Sequence, residues 1–411
     1  MFSLEKFYEV MNDNLFDPLS IDYMYFTKFG STDPADLHCC SNNTRTRNEY
    51  NNIAIMYDQE PLYSNLVGQL WNSTLYPNNR YFSRWFYYIN GMGRHNMKHF
   101  EPDLYLFANS EHSDEKNQLF KTFDSFQDWY YFYHGFAALD WFGNIPYRKP
   151  ITQYSRVFIS FNNLYTEKRS YRLSLIAHLL DRNLDQYGWI SMNPTDAQDK
   201  VRNELINPHC LLSIQEKRLI FKNLLPEPPK LIIDTENICG ELSANVDLDT
   251  LSQGLWHIVT ETVYYDAKLH LTEKIFKPIV AKRPFILAAA PGNLAYLKSY
   301  GFQTFDRWID ESYDAIQDPA DRMTAIVDQV DRLCQLSPAE LASMYQEMTD
   351  VLEHNFNWLY GGGFKALIVD EMVDNFRRCL IRHNAGLNTD NINYINHSRM
   401  DWTDIKKRLT Y

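Results

Sequence analysis

No run in this chain reaches the roughly 18 apolar residues that a membrane-crossing helix needs. The first residues, MFSLEKFYEVMNDNLF, are acidic and amphipathic, unlike a secretory leader. A soluble, cytoplasmic chain is the expectation. Cysteine is scarce: the six, at 39, 40, 210, 239, 334 and 379, form no CxxC and no metal-ligand spacing. Reduced thiols are expected. Basic charge is also short, with 40 Lys and Arg against 52 Asp and Glu and a net charge of −12. That balance argues against a general nucleic-acid binder, which needs basic surface, but leaves room for a local basic cleft. No P-loop, GxSxG, HExxH or EF-hand spelling occurs, and no GxGxxG follows a strand. The acidic pairs Asp58/Glu60 and Asp310/Glu311 fit a metal site only loosely, so no metal is expected.

What is present is an α/β pattern long enough for two domains: 411 residues, 45% apolar and 15% aromatic. Residues 1–20 read as a helix and a Pro-marked turn. Residues 21–30 (IDYMYFTKFG) have strand-like aromatic content. In the first part, NIAIMY (52–57), DLYLFAN (103–109) and the apolar run at 129–133 are strand candidates, each followed by polar residues. Asp58 and Glu60 follow the first of these, and Glu111 follows the second. Carboxylates at the carboxyl ends of strands lie where open α/β sheets bind ligands. Ser113 is a candidate N-cap for a helix from Asp114. A Rossmann-like domain over 1–150 follows, with a Pro-bearing linker at 143–153.

A second α/β series occupies 151–365. RVFISF (156–161) predicts a strand, 171–182 a helix, 185–190 a short strand, 191–230 a polar helical insertion and LWHIVT (255–260) a strand delivering Glu261. The next stretch, LHLTEKIFKPIVAKRPFILAAAPG (269–292), packs most signals into least length. Thr272 is a candidate N-cap, and Glu273 suits the helix dipole. Ile275, Phe276, Ile279 and Val280 share one face, and Pro278 predicts a kink. Phe285–Ala290 reads as a strand buried on both faces. A helix at 293–299, a C-cap at Gly301 and a short strand at 302–305 follow. Residues 312–352 and 364–382 predict helices around Gly361-Gly362-Gly363, and 366–411 is expected as a C-terminal helix and polar tail packing back on the first domain.

Three points converge on one sheet edge: Glu261, the turn Thr272-Glu273-Lys274, and Asn163 with Arg169 and Arg172 after the first strand. Cations and N-terminal amides suit a pyrophosphate, and a carboxylate suits ribose hydroxyls.

The segment IVTETVYYDAKLHLTEKIFKPIVAKRPFIL (258–287) resembles the donor-site signature of GT-B glycosyltransferases related to the α1,3/1,4-fucosyltransferases. Glu261 matches the strand-end carboxylate, Thr272, Glu273 and Lys274 the T-E-K helix start, and Pro284–Leu287 the following strand. The WID at 308–310 resembles the family's S-F-I-D. VFISFNNLYTEKRSYR (157–172) resembles its other phosphate-binding segment through Arg169 and then Arg172. Thr262-Val263 and Lys277-Pro278 depart from the family pattern. The resemblance implies a GT-B fold, two Rossmann-like domains facing each other across a cleft. It implies a glycosyltransferase that takes a nucleotide-diphosphate sugar as donor, needs no cofactor or metal, and inverts. A glycan or small molecule is the expected acceptor. Similar short chains occur in phage and large-virus genomes, where some families glycosylate hydroxymethylated DNA bases; that is the second reading. A non-catalytic nucleotide-sugar module is the third. Lys274 and Arg169 would steady the departing diphosphate. Glu273 would hold ribose and Glu261 orient the sugar. Glu60, then Asp58, then Glu111 would supply the base.

Overall fold

A computed structural model of the chain describes residues 2–26, 37–40, 52–56, 61, 104–122, 126–145, 154–192, 197–225, 244, 246–389, 391 and 394–410. The chain divides into two compact units, Met1–Asp140 with Lys365–Tyr411, and Trp141–Phe364.

The first unit holds a five-stranded sheet. Its strands are β1 (Ile21–Phe26), β2 (Leu37–Cys40), β3 (Asn52–Met56), β4 (Leu104–Asn109) and β6 (Phe126–Tyr130), in the order β2-β1-β3-β4-β6. β5 (His112–Ser113) is a two-residue strand after β4. Only β2 runs antiparallel to its neighbour. The apolar run at 129–133 divides: Trp129 and Tyr130 end β6, and Tyr133 opens the helix Tyr133–Trp141. Ser113 does cap the helix Asp114–Thr122, its hydroxyl accepting from Lys116 N at 3.0 Å. At the N-terminus the helix Leu4–Met11 runs into a π-turn (Asn12–Phe16) and a 3₁₀ turn holding Pro18.

The long helix Gly363–Asn384 belongs to this unit from Lys365 on, although it is far away in sequence. Trp129 Nε1 donates to the Met372 carbonyl at 3.1 Å, and Asn375 Nδ2 to that of Tyr130 at 2.9 Å. The Trp129 ring also meets Phe16 and Phe376, with centroids 5.7 and 5.2 Å away. Edge-on aromatic pairs of this kind contribute about 0.5–1.5 kcal/mol each beyond the area they bury.

The second unit holds β7 (Arg156–Ser160), β8 (Gly188–Ile190), β9 (Gly254–Thr260) and β11 (Phe285–Ala288), all parallel, in the order β11-β9-β7-β8. β10 (Lys268–Leu269) is a two-residue strand. Every residue of β9 and β11 is buried, as expected of mostly apolar strands inside a parallel sheet, with His257 and Thr260 the polar members of β9. The polar insertion resolves into the helices Ala197–Ile206 and Ile214–Leu224, the second started by a capping box between Ser213 and Glu216.

Three expectations change. No strand forms at 302–305; Phe302 and Phe305 are buried by ring contacts with Phe276 and Phe285. The helical stretch 312–352 is cut into a 3₁₀ turn, Pro319–Cys334, Pro338–Glu347 and the start of Thr349–Tyr360, with Pro319 and Pro338 each opening a helix. Pro278 does not interrupt a helix: the first turn, Glu273–Ile275, is 3₁₀, and Pro278 falls in the first turn of Phe276–Val280. An N–H there has no intrahelical partner to lose. The helix ends where Arg283 N reaches back to the Pro278 carbonyl at 2.9 Å, with Lys282 left-handed at φ 51°. Among the described residues no helix is long and apolar enough to cross a membrane.

Candidate functional site in the second unit

β7 and β9 are neighbours, but β8, the next strand after β7, lies on the far side of β7. The chain therefore leaves the carboxyl ends of β7 and β9 toward opposite sides, opening a crevice between them. Asn162 and Asn163 follow β7 there, and Glu261 follows β9.

Glu261 is fully buried. Its main-chain N–H donates to Ala288 at 3.0 Å, so the backbone still follows the sheet. Its carboxylate turns to the next helix start. Thr272 N donates to Oε1 at 3.3 Å and Oε2 at 3.2 Å, and the Thr272 hydroxyl donates to Oε2 at 2.5 Å. Burial pushes the Glu261 carboxyl up, and the Lys274 ammonium and Thr272 pull it back. Lys274 Nζ lies 3.1 Å from Thr272 Oγ1 and 3.0 Å from Glu273 Oε1. Glu273 is buried, whereas the Lys274 side chain is 31% exposed. A lysine ammonium has three donors; two are spent here, and the third is unspent among the described residues.

The structure assigns Arg172 to the frame. Its Nη1 donates to Leu164 O at 2.7 Å, and Nη2 to Thr260 O at 2.8 Å and Glu261 O at 3.2 Å. Nε reaches the Tyr171 hydroxyl at 3.4 Å. The guanidinium thereby ties the loop after β7 to the end of β9 and is 4% exposed. Expected at a diphosphate, it is spent on carbonyls. Tyr171 stacks on Tyr264 at 4.1 Å and 8° from parallel, and the Arg322 guanidinium covers the Tyr264 ring at 4.3 Å. This stack was not legible as part of the site: Arg322 lies on an amphipathic helix 58 residues beyond Tyr264, and nothing in its spelling marks it.

Arg169 ends the 3₁₀ turn Glu167–Arg169 and is half-buried, as is Asn163. Lys168 is paired with Asp266 at 3.2 Å on the surface. Asn162, next to Asn163 in the turn after β7, is fully buried. Its N–H donates to Ser191 Oγ at 3.0 Å and its Nδ2 to Ser160 Oγ at 3.1 Å. Glu261, Thr272, Glu273 and Lys274 thus form one cluster, with Arg172 behind it.

Of the residues expected to supply a base, Asp58 and Glu60 lie outside the described residues. Glu111 is buried in the first unit and accepts from Ser113 Oγ at 2.6 Å. Beside it Lys116 pairs with Asp128 at 3.2 Å, and Asn109 Nδ2 donates to Asp128 at 2.7 Å. The His112 ring lies against Tyr130, centroids 3.9 Å apart and tilted by 32°; burial first, then Lys116, lowers its pKa to about 4.

No protein-family model matches the chain, and no curated protein matches it. Among solved structures, it is similar to the crystal structure of the DNA modifying enzyme β-glucosyltransferase in the presence and absence of the substrate uridine diphosphoglucose. The TM-score is 0.36 and the identity 10%, over 67% of this chain and 66% of that one, just under two thirds of its length. A likeness this distant bears on neither the ligand nor the reaction.

Proposed function

We propose that the protein is a glycosyltransferase whose second unit binds a nucleotide-diphosphate sugar at the carboxyl edge of β7 and β9. The observation that carries this reading is the placement of Lys274. Its ammonium is anchored by Thr272 and Glu273 at the crevice and has one donor to spare. Glycosyl transfer from such a donor builds charge on the departing diphosphate, and a fixed cation lowers that barrier. Arg169, half-buried on the neighbouring turn, is the second cation of this proposal. Asn163 on the same loop offers polar contacts to the donor. Arg172 and Glu261 build the wall and do not touch the donor.

A base in the first unit, Glu60, Asp58 or Glu111, takes the proton of the acceptor hydroxyl in an inverting displacement. The acceptor is a hydroxyl compound, a glycan or small molecule, and no metal is required by these roles.

A melting-temperature screen against UDP-, GDP-, CMP- and dTDP-sugars tests the reading. A ligand at 100 times its Kd stabilises by about 2.7 kcal/mol, a readable rise. One nucleotide class is expected to respond, and Lys274→Met is expected to abolish the response. No rise with any nucleotide overturns the proposal. Binding without transfer or hydrolysis across a broad acceptor panel would leave a nucleotide-sugar binding module in its place.

A further inference from the structure

The two carboxylates beside Lys274 are not equivalent. Glu273 touches the ammonium directly, at 3.0 Å. Glu261 meets it through a hydroxyl. A threonine hydroxyl has one proton and two lone pairs. Its 2.5 Å approach to Glu261 Oε2 commits the proton to that carboxylate. The lone pairs are left for Lys274 Nζ, at 3.1 Å, which can only donate. The direction of the chain is fixed: ammonium to hydroxyl to carboxylate. Glu261 is itself held by the Thr272 N–H and by the strand pairing of its own N–H. Thr272 and Glu261 are both buried, so water does not compete for these bonds.

We propose that Glu261 is a positioning residue that sets the Lys274 ammonium through the Thr272 hydroxyl, leaving one N–H of Lys274 aimed at an anionic ligand. The anion is a nucleoside diphosphate, and that part rests on the function proposed above. The relay itself does not. A cap serving only the helix start would need Thr272 as acceptor for the turn's N–H groups, where the Lys274 N–H contact is a long 3.5 Å. It would not need the ammonium.

The test uses the full chain and two readouts. The first is the labelling rate of Lys274 by an amine-acylating reagent, read peptide by peptide by mass spectrometry with exposed lysines as internal reference. The second is calorimetric titration with uridine and guanosine diphosphates. Thr272→Ser keeps the hydroxyl and is expected to label and bind as the parent does. Thr272→Val removes it, and Lys274 labelling is expected to rise several-fold. Glu261→Gln keeps the size and is a second route to the same rise should the valine variant fold poorly, as circular dichroism would reveal. The loss of one charge-assisted contact is expected to weaken diphosphate binding about tenfold in the valine variant. If the valine and glutamine variants, both folded, label Lys274 like the parent, the relay is overturned whatever the nucleotides do. If labelling rises but the parent binds no diphosphate, the relay stands and the donor-site reading falls.

Discussion

Arg172 binds Glu261 through the main chain and not the side chain: its Nη2 donates to the Glu261 carbonyl at 3.2 Å, while the carboxylate faces Thr272. The same guanidinium holds Thr260 and Leu164, so one buried cation joins the two loops that wall the crevice. Replacing it by leucine takes the side-chain donor from the Leu164 and Thr260 carbonyls, while the Glu261 carbonyl keeps the Tyr171 hydroxyl at 2.5 Å. A lost bond to a charged donor costs about 1.5–3 kcal/mol, and Arg172→Leu is expected to lose about 3–5 kcal/mol in urea unfolding. Arg172→Lys should recover little, because a compact ammonium cannot reach three divergent acceptors. Parental stability in both variants would show that the tie is idle.

Two glycines make room for large neighbours on the adjacent strand. A Cβ on Gly254 would sit 2.1 Å from Ile159 Cγ2, and one on Gly188 2.1 Å from the Phe158 ring. Both neighbours are buried, with little freedom to move. Gly254→Ala is expected to cost about 1–3 kcal/mol through overpacking, measured by chemical denaturation. Ile159→Ala removes the clashing Cγ2, so the double variant should lose less than the sum of the two single changes; a strictly additive double variant would contradict the clash.

The acid side of the stability curve should carry the mark of His257. Burial pushes its pKa from 6.5 to about 3, and its Nε2 lies 3.2 Å from the Leu251 carbonyl, the contact of a neutral ring donating. Below pH 6.5 the unfolded chain takes up a proton that the folded chain refuses. Stability therefore falls as pH drops from 6.5 toward 3, by up to about 1.4 kcal/mol per pH unit for one such proton. His112, lowered to about 4, adds in the same direction in the first unit. His257→Gln keeps a donor for Leu251 and is expected to flatten this slope in urea titrations at pH 7, 5.5 and 4.5. An unchanged slope would remove His257 from the account.

The elements whose signals are local were legible in the sequence. LWHIVT ending on Glu261 reads as a strand from its short, mostly apolar and β-branched run, and the structure extends it by one residue to Gly254. The helix expected at 171–182 ends one residue earlier, at Asp181, and that at 293–299 keeps its limits. Phe302–Phe305 misled because apolar residues without a pairing strand can be buried as rings under a loop. The site was legible in its members and not in its wiring. Glu261, Thr272, Glu273 and Lys274 do meet, but which carboxylate touches the ammonium depends on a hydroxyl rotor and a turn that turns out 3₁₀. The duty of Arg172 was hidden because its partners are carbonyls, which every residue carries.

The first unit is assembled from both early and late residues, with Trp129 and Tyr130 bonded to Met372 and Asn375. On the ribosome, its sheet strands emerge more than 220 residues before the helix that covers them; Tyr130 and Gly363 bound that interval. At roughly 5–20 residues per second, that sheet waits on the order of 10–50 s with Trp129 uncovered. The second unit, contiguous from Trp141 to Phe364, is complete first. A chain truncated after Phe364 should therefore carry a protease-resistant second unit and a first unit still open to cleavage.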